Sequence, residues 1–166
     1  INTINMILKK NISILFFLFF IFSVNAEELK NYEKNTELNV YSGMFDFSDD
    51  GKRSTLIGIQ HQNENLNRDT FLGSLSPITG GFLTENSAAY VYTGVEWNVD
   101  MGGLIFTPSF APGFYHEGDG KDLGHALEFK SEVQLSYTTT DTSSFGISYN
   151  HVSNASLGDK NPGANS

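Results

Sequence analysis

Leu123-Gly124-His125-Ala126-Leu127-Glu128-Phe129-Lys130-Ser131-Glu132-Val133-Gln134-Leu135-Ser136-Tyr137 is the stretch on which the fold turns. Its odd positions read Leu, His, Leu, Phe, Ser, Val, Leu, Tyr, and its even positions read Gly, Ala, Glu, Lys, Glu, Gln, Ser. One face is mostly apolar and the other carries charge, which is the period-two pattern of a β-strand. The run exceeds the ~5–6 residues of an ordinary strand and the ~9–11 that cross a bilayer. Such length is routine where a barrel extends past the membrane. Alternation does not say which face meets solvent. A barrel in lipid turns its apolar face outward, whereas a soluble sandwich or lipocalin-like barrel turns it inward.

Working outward, weaker alternation predicts strands over Glu37–Ser48, Ser54–Gln62, Ser74–Leu83, Ala88–Val99 and Ser143–Ser153. Gly103–His116 contains Pro108 and Pro112 and reads as an irregular or edge-bent strand. Turn signals separate these runs: Asp49-Asp50-Gly51, Asp100-Met101-Gly102-Gly103 and Glu117-Gly118-Asp119-Gly120. No segment after residue 26 reads as a long amphipathic helix. About seven strands result. An open edge in lipid leaves unpaired N–H and C=O groups, and bacterial single-chain barrels have even strand counts. The expectation is therefore an all-β, eight-stranded antiparallel outer-membrane β-barrel whose closing strand is missing from this sequence.

Composition supports export. Lys9 and Lys10 precede an Ile/Leu/Phe run from Ile12 to Val24, and Val24-Asn25-Ala26 supplies small residues for cleavage. That is the form of a secretory signal peptide, shorter than the ~20 residues of a spanning helix. Met6 is the natural initiator, with Ile1–Asn5 upstream of it. Residues 1–26 are thus read as upstream residues plus signal, and 27–166 as one β-barrel domain. Two lysines leave with the signal and no acid does, so the net charge moves from −9 to −11. Such acidity argues against nucleic acid as a partner, since phosphate binding needs a basic face. The chain has no Cys, hence no disulfide, thiolate nucleophile or Cys-bound metal. After residue 26, nine Phe, seven Tyr and one Trp remain, too many for a disordered chain.

Chemistry concentrates near the end. His151 and Ser153 are two apart and share a strand face with Phe145, Ile147 and Tyr149. A neutral imidazole can take the proton of a hydroxyl that attacks a carbonyl carbon. If the Phe145/Ile147/Tyr149 face meets lipid, the His/Ser pair lies outside the barrel near the interface, where a lipid is the available substrate. Taken alone, His-x-Ser is a weak signal, and most such pairs are surface polar residues at a strand end.

A longer pattern adds to it. Asn150–Gly163, with His-Val-Ser-Asn-Ala-Ser-Leu-Gly-Asp-Lys-Asn-Pro-Gly, resembles the signature of the PagL-type lipid A 3-O-deacylase (acyloxyacyl hydrolase) family. The likeness extends to Thr107–Tyr115, Gly118–His125, Leu127–Phe129 and Tyr41–Phe47, covering roughly residues 38–166. The resemblance implies an eight-stranded barrel of the Gram-negative outer membrane that hydrolyses the 3-O-linked 3-hydroxyacyl ester of lipid A in lipopolysaccharide. It implies Ser153 as nucleophile, His151 as base and an acid, usually Glu, at the position of Asn165. Asn165 departs from that pattern: an amide can fix the imidazole tautomer but supplies no charge to an imidazolium. Asp159, Glu128 or an acid beyond Ser166 are the alternatives. Oxyanion donors are expected from Asn154, Asn161 or backbone N–H groups of the turn Ser156–Asn161, with the plainer reading that both asparagines shape the loop. No metal or cofactor is required.

His61 and His125 read as solvated or interfacial. His116–Asp122 reads as an acidic hairpin loop, lacking the EF-hand pattern. Lys121 and Lys130 are candidates for contact with lipid A phosphates. Two further readings stand beside the esterase: a catalytically inactive barrel of the same family with a structural or lipid-contact role, and a soluble periplasmic lipid-binding β-barrel.

Overall fold

The computed structural model describes residues 36–49, 51–71, 73–140 and 143–166, so the signal-peptide expectation over 1–26 lies outside the described residues. Among the described residues ten strands form: β1 (Thr36–Phe45), β2 (Ser54–Asn63), β3 (Arg68–Thr70), β4 (Gly73–Thr84), β5 (Ala89–Glu96), β6 (Val99–Asp100), β7 (Leu104–His116), β8 (Leu127–Thr140), β9 (Ser143–Ser153) and β10 (Ala164–Asn165). One helical element, a 3-10 turn at Glu64–Leu66, is present among the described residues. Every pairing is antiparallel, in the order β1-β2-β4-β5-β7-β8-β9-β10, with β3 on β4 and β6 on β7. Seven strands of this path are long and the eighth, β10, has two residues. The sheet curls until its ends meet at one rim, where the Phe47 N–H donates to the Asn165 carbonyl at 3.2 Å. The architecture is an all-β, incomplete barrel.

Side-chain burial along the strands fixes which face points outward. Along β8, Glu128 and Lys130 are 0% and 2% exposed while Val133, Leu135 and Tyr137 are exposed. Along β9, Phe145 and Ile147 are exposed, Ile147 to 77%. Leu38, Val40 and Met44 of β1 and Ile57 and Ile59 of β2 point out in the same way. Apolar side chains outside and charged ones inside are the polarity of a barrel wall in lipid. A soluble lipid-binding barrel requires the reverse.

Toward the rim, Phe45, Phe82, Tyr90 and Tyr115 pack ring on ring, with centroids 5.5–6.0 Å apart. Deeper in, one cluster of polar groups is linked by hydrogen bonds. The Tyr92 hydroxyl donates to Gln60 Oε1 at 2.9 Å, and Gln60 Nε2 donates to Glu96 Oε2 at 2.9 Å. Lys130 Nζ donates to the Tyr92 hydroxyl at 3.3 Å and pairs with Glu132 at 3.1 Å. Lys130 is thus an interior residue, not a surface contact for lipid phosphates.

Four expectations are corrected. The strand foreseen over Leu123–Tyr137 begins at Leu127. Gly124 adopts a left-handed φ of +90°, and Leu123 folds in over the barrel end, 1% exposed. His125 therefore lies in the loop, its Nδ1 accepting from the Leu127 N–H at 3.0 Å. Near residue 46 the alternation breaks, because Asp46 takes a φ of +56°; its carboxylate is buried and Phe47 turns outward. Finally, β7 is continuous through both prolines. The β5–β7 ladder lapses between Tyr92↔Gly113 and Val95↔Phe110, opposite Ala111 and Pro112, so the missing proline N–H falls in a gap.

Candidate functional site

The rim carries the loops after β1, β4, β7 and β9. At its seam the last strand meets the first. Ala164 pairs with Val152 and Asn165 with His151, while Ser166 exchanges two backbone hydrogen bonds with Asn150, each 2.9 Å. This short ladder sets the Asn165 side chain beside the imidazole. Asn165 Oδ1 accepts from His151 Nδ1 at 2.7 Å and from the Tyr149 hydroxyl at 2.9 Å, and its Nδ2 donates to Ser48 Oγ at 2.9 Å. With the amide hydrogens turned toward Ser48, the proton between ring and amide belongs to Nδ1. Nε2 is then the lone-pair nitrogen, the form a general base needs.

Ser153 lies two residues along β9 on the same outer face, and both it and His151 are half-buried. No hydrogen bond joins Ser153 Oγ to His151 here. Contacts of this kind commonly tighten only when substrate arrives. Gly163 closes the other side of the ring. A Cβ there would stand 2.7 Å from His151 Cε1 and 3.1 Å from Nε2, and the residue holds a φ of +62°, which side chains rarely adopt.

Among the other acids considered, Glu128 is on the inner face, opposite in parity to Ser131, the cross-strand partner of His151. Asp159 is exposed in the loop after β9. Asn165 alone of the three makes the contact to the ring.

The loop 154–163 is tied down from beneath. Asn154 is wholly buried, and its Nδ2 donates to the Leu123 carbonyl at 2.7 Å and to the Lys160 carbonyl at 2.8 Å. Asn161 Oδ1 accepts the Asn154 N–H at 3.1 Å. Both asparagines therefore support the loop, and neither amide hydrogen of Asn154 remains for an oxyanion. Ala155 and Ser156 take left-handed φ values of 52° and 64°, turning the chain immediately after Ser153. On the solvent side Lys160 Nζ pairs with Asp122 Oδ2 at 2.6 Å. Asp122 is held below the usual carboxylate range, first by this hydrogen bond and then by the Gly124 N–H, and Lys160 is raised by the same partner. Lys121 reaches across to Asp46 at 2.8 Å and Asp49 at 3.3 Å, joining the loop after β7 to that after β1.

Three participants escaped the sequence reading. Tyr149 was legible as a face-mate of His151, but its hydroxyl contact was not. Gly163 was visible only as part of an Asn-Pro-Gly turn. Ser48 lies 117 residues from Asn165, and nothing local marks it.

Over residues 41–166 the sequence matches the family described as lipid A 3-O-deacylase (PagL). The chain belongs to the PagL family. None of the curated proteins and none of the solved structures matches it. The PagL match takes in every residue of the seam arrangement, from Ser48 to Asn165.

Proposed function

We propose that the protein is an outer-membrane esterase that removes the 3-O-linked 3-hydroxyacyl chain from lipid A, with Ser153 as nucleophile and His151 as base. The observation that carries this reading is the 2.7 Å contact between His151 Nδ1 and Asn165 Oδ1, on a wall whose surroundings are apolar and outward-facing. An imidazole held in one tautomer beside a hydroxyl, at the level where a lipid ester would lie, has a chemical use. A soluble substrate does not reach that surface.

In this mechanism His151 Nε2 accepts the Ser153 proton as Oγ bonds to the ester carbonyl carbon. The tetrahedral intermediate collapses, the bond between the carbonyl carbon and the ester oxygen breaks, and the imidazolium gives its proton to that oxygen as it departs with the sugar. Water, deprotonated by Nε2, then attacks the acyl-enzyme and releases the fatty acid and free Ser153. Asn165 holds Nδ1–H throughout. Backbone N–H groups of the left-handed turn at Ala155 and Ser156, two and three residues after Ser153, are the candidate donors to a developing oxyanion. The amide at 165 also supports the silent-relative reading, since it adds no charge to the imidazolium.

Expression of the full-length gene in a Gram-negative host of known lipid A, followed by mass spectrometry of that lipid A, tests the proposal. The expected result is loss of one 3-hydroxyacyl mass, abolished by Ser153→Ala. An unchanged spectrum with a correctly inserted barrel overturns the esterase reading in favour of the silent relative.

A further inference from the structure

The outer face around the seam is a grid whose rows are fixed by strand register. One row holds Pro112, Phe129 and Ser153; the next holds Phe110, Ser131 and His151; the next holds Pro108, Val133 and Tyr149. Rows on one face are about 6.6 Å apart, two residues of strand rise. Within this grid Ser131 is the small polar member outside the proposed mechanism, exposed, with Phe110 directly opposite on β7 and His151 directly opposite on β9. Phe110 and Phe129 stack on each other, centroids 5.9 Å apart and planes 13° from parallel. That stack forms an apolar wall beside Ser131, whose hydroxyl makes no hydrogen bond among the described residues. A free hydroxyl thus stands between the larger side chains of Phe110 and His151, directly across the strand pair from the imidazole.

The direction of a bound acyl chain follows from polarity. Ester and sugar belong at the rim, where the charged loops are, and the hydrocarbon runs down the apolar wall from Ser153 toward Val133 and Leu135. The first carbons after the carbonyl then cross the row of Ser131. A substituent on the second carbon from the carbonyl carbon is the part of the chain that comes level with the Ser131 hydroxyl. With lipid rather than water against this face, as the esterase reading requires, a hydrogen bond there is worth more than at an open surface.

We infer that Ser131 is a specificity-determining residue that hydrogen-bonds the 3-hydroxyl of the acyl chain, so that hydroxyacyl esters are chosen over unsubstituted ones. This rests on the esterase reading above and deepens it. Ser131 takes no part in proton transfer.

The test uses purified full-length protein in mixed micelles with two synthetic 3-O-acyl glucosamine esters of equal chain length, one bearing the 3-hydroxyl and one lacking it. The readout is the ratio of kcat/KM values. Wild type is expected to favour the hydroxyacyl ester by about threefold to tenfold, the worth of one hydrogen bond. Ser131→Val brings the ratio to near one, while Ser131→Thr, which differs from it by the hydroxyl, keeps the preference. Both β-branched residues suit a lipid-facing strand. A wild-type ratio of one, or a preference that survives in Ser131→Val, overturns the inference while leaving the esterase standing. Failure of wild type to cleave either ester removes both.

Discussion

Asn165 Oδ1 lies 2.7 Å from His151 Nδ1, and the amide is held from behind by Ser48 and from the side by Tyr149. The contact orients the ring without adding charge. Asn165→Asp keeps shape and acceptor while supplying the negative charge that stabilises an imidazolium. It is expected to raise kcat for ester hydrolysis, by at most the ~10⁴-fold that separates acid from amide in a serine triad. Asn165→Leu, which removes the acceptor, is expected to lower it. Rates measured on lipid A micelles check both, and an unchanged rate in Asn165→Asp shows that ring charge does not limit the reaction.

Gly163 is where the ring is most easily disturbed. Gly163→Ala puts a methyl 2.7 Å from His151 Cε1 at a φ of +62°. The backbone strain alone costs on the order of 1–3 kcal/mol, and the imidazole must move. The expected result is a large fall in kcat with a barrel that still migrates as a folded species on a gel run without boiling. Wild-type activity in this variant means that the ring tolerates displacement.

How much of this was legible in the sequence depends on the residue. The shared face of Ile147, Tyr149, His151 and Ser153 follows from parity alone, because strand side chains alternate strictly. Parity could not say that this face is the outer one; that required Lys130 and Glu128 to be seen inside. The break at Gly124 was hidden because Leu123 and His125 happen to fit the alternation, yet a left-handed glycine ends the strand. Pro108 and Pro112 misled in the other direction, since the ladder lapses where a proline N–H is missing. Contacts that join the two ends of the sheet, such as Asn165 with Ser48, bring together chain segments with no local signal.

Burial predicts that Asn154 is a stability residue. Asn154→Ala removes two hydrogen bonds to the carbonyls of Leu123 and Lys160 and leaves both oxygens without that partner. Each orphaned group costs about 1–3 kcal/mol. The variant is expected to expose the loop 154–163 to protease and to lose activity in proportion. Unchanged protease resistance refutes the role of loop support.

The ion pair between Asp122 and Lys160 predicts a pH window for the same loop. Asp122 has its carboxyl depressed by Lys160 and the Gly124 N–H, so its contribution is present above the ordinary carboxylate range and is lost as pH falls through the lower folded value. Lys160 is raised, so its contribution is complete below the ordinary lysine value and is lost as pH rises through the higher folded one. Amide exchange at Gly124 and Asn154, corrected for the intrinsic pH dependence of exchange, is therefore expected to be flat across neutral pH and to quicken at both extremes. Because the pair is exposed, salt weakens it, and Asp122→Asn flattens the acid limb. An acid limb that persists in Asp122→Asn assigns the effect to another group.

The polarity of the wall makes the last prediction. Ile147 points outward from β9 and is among the most exposed apolar side chains. Ile147→Lys sets a charge against hydrocarbon, which costs about 2–4 kcal/mol at the bilayer midplane and less toward the interfaces. Ile147→Leu keeps the surface apolar and serves as the reference. Folding into lipid vesicles under urea titration is expected to show the lysine variant destabilised by an amount within that range. The same pair compared in detergent-free buffer distinguishes a lipid-facing wall from a water-facing one, because lysine on a water-facing surface improves solubility rather than stability in lipid. Equal stability of Ile147→Lys and Ile147→Leu in vesicles removes the outward apolar face as a membrane contact, and with it the argument that Ser153 meets its substrate from the lipid side.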